Sequence, residues 1–115
     1  MERTFVKDLN KGKEVLLKGW VFEQRILSKM AFILLRDISG MVQCVVKDEK
    51  LLKKISGITL ESVIEIKGKV KDANVKAEFA RKDIEVEVID LNLISKAEKL
   101  PILVNEKTVT TEFQH

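Results

Sequence analysis

EVLLKGWVFEQRILSKMAFILLRDISGMVQCVVK, residues 14–47, holds three β-prone runs joined by short connections. In residues 14–26, Val15, Leu17, Gly19 and Val21 alternate with Leu16, Lys18, Trp20 and Phe22. That is the period of a strand with one buried face. Gly19 is expected to mark the bulge or bend that lets a long strand curl and pair at both ends. Leu27-Ser28-Lys29 leads into residues 30–36, whose near-continuous apolarity predicts a central strand. Asp37-Ile38-Ser39-Gly40 then places Asp first and Gly fourth, the side-chain chemistry of a type I turn. A third strand follows over residues 41–47.

Beyond this stretch the period changes. Leu51, Leu52, Ile55 and Ile58 recur at helical spacing behind Asp48, an N-cap residue type, which predicts a helix of about ten residues ending near Gly57. Residues 62–70 alternate again, residues 71–82 (KDANVKAEFARK) are polar without a firm period, and residues 84–91 form a fifth strand. The order is β-β-β-α-β-β. It predicts an all-β domain with one helix, a five-stranded Greek-key OB-fold barrel. In such barrels the face over strands two and three, with the first and fourth-to-fifth loops, is the usual oligonucleotide surface. The domain is expected to span residues 1–104. Residues 105–115, NEKTVTTEFQH, read as a linker cut short on its way to a further domain.

Composition narrows the function classes. With 115 residues, 45% apolar and 34% charged, the chain has the balance of one folded domain. Cys44 is the only cysteine and His115 the only histidine, so neither an intramolecular disulfide nor a Cys/His metal cage is expected. No window has the apolar length of a membrane span, and the N-terminus lacks a signal-peptide layout. The expected address is cytoplasmic. A net charge of +3 and a pI near 9 tilt the protein toward polyanions without making it a strongly basic coat.

No phosphate-cradling glycine loop, nucleophile–base set or paired carboxylates stand out, and Asp37, Asp72, Asp83 and Asp90 fall at turns and strand ends. The chain by itself is therefore not expected to be an enzyme or to hold a cofactor. A binding face is the better lead. Arg25 near the end of the first strand, Phe32 in the second and Gln43 in the third are placed to share one sheet face. A ring to stack on, with an amide and a guanidinium to read an edge, is what recognition of a nucleobase needs. Each residue alone also has an ordinary reading: Phe32 as core, Arg25 and Gln43 as solvated strand positions.

Gly19-Trp20-Val21, Arg25, Phe32-Ile33-Leu34-Leu35-Arg36-Asp37 and Gly40-Met41-Val42-Gln43, at these separations, resemble the N-terminal anticodon-binding domain of class II aspartyl-tRNA synthetases. Asparaginyl and lysyl enzymes share a looser version. Glu61-Ser62-Val63 and Leu100-Pro101-Ile102 are similar too. The resemblance implies that Phe32 stacks on the central anticodon uridine, Gln43 bonds its edge and Arg25 contacts a neighbouring base. It further implies that the fourth-to-fifth loop, around Asn74, Lys76, Glu78 and Phe79, reads the outer bases, although that loop lacks the family's glycines. Lys29 is a candidate phosphate contact, and Trp20 belongs to the structural GWV. The partner so implied is a tRNA of Asp or Asn type. ATP and magnesium belong to a catalytic domain absent from this chain, and the intact enzyme is implied to be a homodimer. A sequence-tolerant single-strand-binding barrel is the alternative. Such a protein would spread many aromatics along its groove, and few are expected on this face.

Overall fold

A computed structural model describes residues 2–95. The strands are β1 (Glu14–Ile26), β2 (Ala31–Asp37), β3 (Gly40–Val46), β4 (Val63–Asp72) and β5 (Ile84–Ser95), with helix α1 (Glu49–Ile55) between β3 and β4 and a 3-10 turn at Val6–Asp8. They close into a barrel in the order β1-β2-β3-β5-β4, so the expected OB-fold barrel is what forms. Residues 96–115, which include Leu100-Pro101-Ile102 and the expected linker, lie outside the described residues.

Alternation along each strand builds the interior. Val15, Leu17 and Val21 of β1, Ala31, Ile33 and Leu35 of β2, and Val42, Cys44 and Val46 of β3 point inward, joined by Ile64, Ile66, Val70, Ile84, Val86 and Leu91. Leu51 and Ile55 of α1 and Ile58 beyond it complete this core. Asp48 caps α1 by accepting hydrogen bonds from the amides of Lys50 and Leu51. The helix is shorter than its apolar spacing suggested, because Ser56 and Gly57 already turn toward β4.

β1 does pair at both ends, Glu14–Trp20 with β4 and Trp20–Ile26 with β2. Its bulge, however, falls between Val21 and Glu23, not at Gly19. Gly19 is required for a different reason: a β-carbon there would lie 2.3 Å from the Arg36 carbonyl oxygen, so the two backbones approach more closely than any other residue allows. The barrel closes through a short parallel pairing, Cys44 opposite Val86 and Val45 opposite Glu87.

A second, smaller core sits outside the barrel. Val75 and Ala80, from the stretch that showed no period, are buried against Leu34 and Met41 on the outer face of β2 and β3. The continuous apolarity of β2 therefore records two coverings, the interior on one side and this loop on the other.

Candidate nucleic-acid interface

The outer face of β1–β3 is set by register. Arg25 lies opposite Phe32, Phe32 opposite Val45, and Gln43 opposite Leu34. Because inward positions are taken by Ala31, Ile33 and Leu35, Phe32 faces out, half-buried, and belongs to neither core cluster. Gln43 is also half-buried, and its amide nitrogen donates to Glu85 Oε1 at 3.4 Å, a long contact that a better acceptor can displace. Arg25 is exposed.

The loop between β4 and β5 folds over this face and converts it into a groove of about 670 Å³. Its floor and walls bring together Arg25, Phe32, Gln43, Lys76, Glu78 and Phe79, six of the eight residues singled out from sequence for contact with RNA. Lys29, in the β1–β2 connection, and Asn74, early in the β4–β5 loop, are both exposed and not among the lining residues. Trp20 lies away from the groove as well, half-buried beneath the Arg36 guanidinium at 5.8 Å.

Sequence reading missed part of the lining. Phe22, at the β1 bulge, was not singled out; with Phe32 and with Phe79 at the loop tip, it makes three of the chain's five phenylalanines that face one groove. The expectation of few aromatics on this face is thereby corrected. Phe22 already stood among the outward positions of the first strand, which was the available signal. Gln24 lines the groove too; its Nε2 donates to the Ile58 carbonyl at 2.9 Å, and its Oε1 is buried without a partner among the described residues.

The charges of the lining cancel, Arg25 and Lys76 against Glu23 and Glu78. A groove of this composition discriminates by stacking and hydrogen bonding more than by attraction for phosphate. Among the described residues no cluster of His, Cys, Asp and Glu is arranged to hold a metal ion, and no helix is long and apolar enough to cross a membrane.

Comparison with known proteins identifies the family to which this fold is similar. The family model of the tRNA anti-codon type of OB-fold nucleic acid binding domain matches residues 15–94. An aspartate–tRNA ligase of Aster yellows witches'-broom phytoplasma is 39% identical over 106 residues, which cover 90% of this chain and 18% of that protein. An asparaginyl-tRNA synthetase structure from Pyrococcus horikoshii superposes with a TM-score of 0.73 at 30% identity, over 91% of this chain and 25% of that one. An aspartyl-tRNA synthetase from Entamoeba histolytica gives a TM-score of 0.78 at 25% identity, over 87% and 22%. The chain spans only about a fifth of the length of the curated relatives it matches.

Proposed function

Since this chain belongs to the tRNA anti-codon family of OB-fold nucleic acid binding domains, we propose that its groove binds the anticodon loop of a tRNA on behalf of an aspartate– or asparagine–tRNA ligase. The observation that carries the reading is the convergence of Arg25, Phe32 and Gln43 in one groove walled by Lys76 and Glu78. Phe32 offers a flat apolar face to a base splayed from the loop, and stacking of this kind contributes about 1–3 kcal/mol per base. Gln43 presents an amide, one donor and one acceptor, which matches the edge of uracil. Arg25, directly across from Phe32, supplies a planar donor to a neighbouring base or phosphate. A uridine stacked on Phe32 and read by Gln43 would be the central anticodon base. The outer bases then fall to Lys76 and Glu78, and Lys29 is left as a phosphate contact beyond the groove. In the parent enzyme, a homodimer in this reading, activation of the amino acid with ATP and magnesium belongs to sequence outside this chain.

A second reading, a sequence-tolerant single-strand binder, gains support from the additional rings of Phe22 and Phe79 in the groove, because every base has a face to stack. One titration separates the two. RNA stem-loops with anticodons GUC, GUU, UUU and GAC are compared by fluorescence anisotropy at one fixed salt concentration, with wild type and Phe32→Ala. The anticodon reading expects GUC and GUU to bind best and GAC worst. It also expects Phe32→Ala to lose about 5- to 150-fold in affinity, the stacking contribution converted to a binding ratio. Because Phe32 lies outside both cores, that variant is expected to stay folded, and its unfolding would make Phe32 a core residue and end the platform reading. Equal binding of all four RNAs leaves only the sequence-tolerant reading.

A further inference from the structure

We propose that Phe79 is a second base-stacking platform, held at the tip of an anchored loop to receive the nucleobase next to the one on Phe32. This inference rests on the nucleic-acid reading of the groove and adds a residue-specific subsite to it.

Phe79 is the most exposed aromatic side chain among the described residues, 75% accessible to solvent. Neither core cluster includes it, so packing does not account for a phenyl ring here. Its backbone does not favour one either. Phe79 has φ of 70°, and only Glu61 shares a positive φ among the described non-glycine residues. That left-handed region suits glycine or asparagine and is a marked outlier for a bulky side chain. A strained, water-exposed ring at the edge of a groove points toward a use for the ring itself.

The exposure belongs to a fixed loop. Below the tip, Val75 and Ala80 are buried against Leu34 and Met41. The Ala73 amide donates to the Asp83 carbonyl at 3.1 Å and the Val75 amide to the Lys82 carbonyl at 3.0 Å. The Arg81 amide reaches the Met41 carbonyl at 2.9 Å, while its guanidinium donates to the carbonyls of Val6 and Leu9. Lys82 Nζ also donates to the Ala77 carbonyl. The ring is thus positioned before any ligand arrives, which lowers the ordering cost of binding. It lines the groove together with Phe32, and Lys76 and Glu78 stand beside it in sequence. An ammonium and a carboxylate flanking a ring can meet the phosphate and the polar edge of one stacked nucleotide.

The test uses the 115-residue chain and variants Phe79→Gly and Phe79→Leu. Glycine removes the ring and relieves the backbone, so the urea midpoint is expected to equal or exceed that of wild type. Affinity for the preferred stem-loop is expected to fall about 5- to 150-fold. Leucine keeps apolar bulk without a flat face and should lose most of the same affinity. The dependence on salt should keep its slope, since no phosphate contact is removed. With an abasic nucleotide at one of the two positions flanking the central base, the Phe79→Gly penalty should vanish. If Phe79→Gly binds as wild type does while Phe32→Ala is weakened, the second platform is overturned and the groove reading survives. If the wild-type chain binds none of the stem-loops, both fall.

Discussion

Asp37 illustrates how much one side chain can organise. It is only 3% exposed, yet each of its carboxylate oxygens is occupied. Oδ1 accepts from the Ser39 amide at 2.7 Å, the Ser39 hydroxyl at 2.6 Å and the Gly40 amide at 3.1 Å. Oδ2 accepts from the Val6 amide at 2.9 Å. The first set closes the β2–β3 hairpin, and the last ties the N-terminal 3-10 turn to it. A buried carboxylate is tolerated because these donors replace water. Asp37→Ala leaves the Val6 and Gly40 amides short of an acceptor and should cost about 2–4 kcal/mol in urea unfolding. A cost below about 1 kcal/mol would show that water replaces the carboxylate and that this network is not structural. The turn role of Asp37 was legible from its spacing to Gly40. The tie to Val6 was not, because the segment before β1 has no period to place it. Gly19 was legible as a special position, but sequence shows only that a side chain is missing, not which carbonyl would have met it.

The β4–β5 loop marks the limit of pattern reading at the level of elements. Its buried members, Val75 and Ala80, are small and match neither a strand nor a helix period. Their partners Leu34 and Met41 come from other strands, so burial arises only after the barrel has formed. The same loop supplies three residues that line one wall of the groove ahead of Phe79, Lys76, Ala77 and Glu78. Its anchor is Arg81, which joins the loop to the N-terminal turn through Val6 and Leu9 and pairs with Asp83 at 2.8 Å. Arg81→Ala should therefore act on order more than on global stability. Amide exchange at Val75 is expected to quicken as the loop opens locally. RNA affinity should drop by about 0.5–1.5 kcal/mol, the ordering cost now met on binding. Unchanged exchange at Val75 would mean that the apolar contacts alone hold the loop.

At the scale of the molecule, the succession of periods predicted the element order and a closed barrel, but not the register of the seam that closes it. The parallel seam between β3 and β5 joins residues far apart in sequence, and no local pattern announces it. Cys44 lies on that seam, inward-facing and fully buried, which makes it a reporter of closure. Burial first, and the neighbouring Glu85 charge second, push its thiol well above the ordinary value near 9. The folded state therefore favours the protonated thiol. Its contribution to stability is complete below the unfolded thiol's pKa and is lost progressively as pH rises above about 9. Two outcomes are expected. At pH 8 a thiol reagent should label Cys44 only as fast as the whole barrel unfolds, since thiolate is scarce and access is blocked. Between pH 9 and 10, wild-type stability should fall more steeply than that of Cys44→Ala, with a difference of at most about 1.4 kcal/mol per pH unit for one proton. Labelling much faster than global unfolding would place a local opening at the seam. The barrel would then be held mainly by its antiparallel strands, and the groove on β1–β3 could persist with the β3–β5 pairing undone.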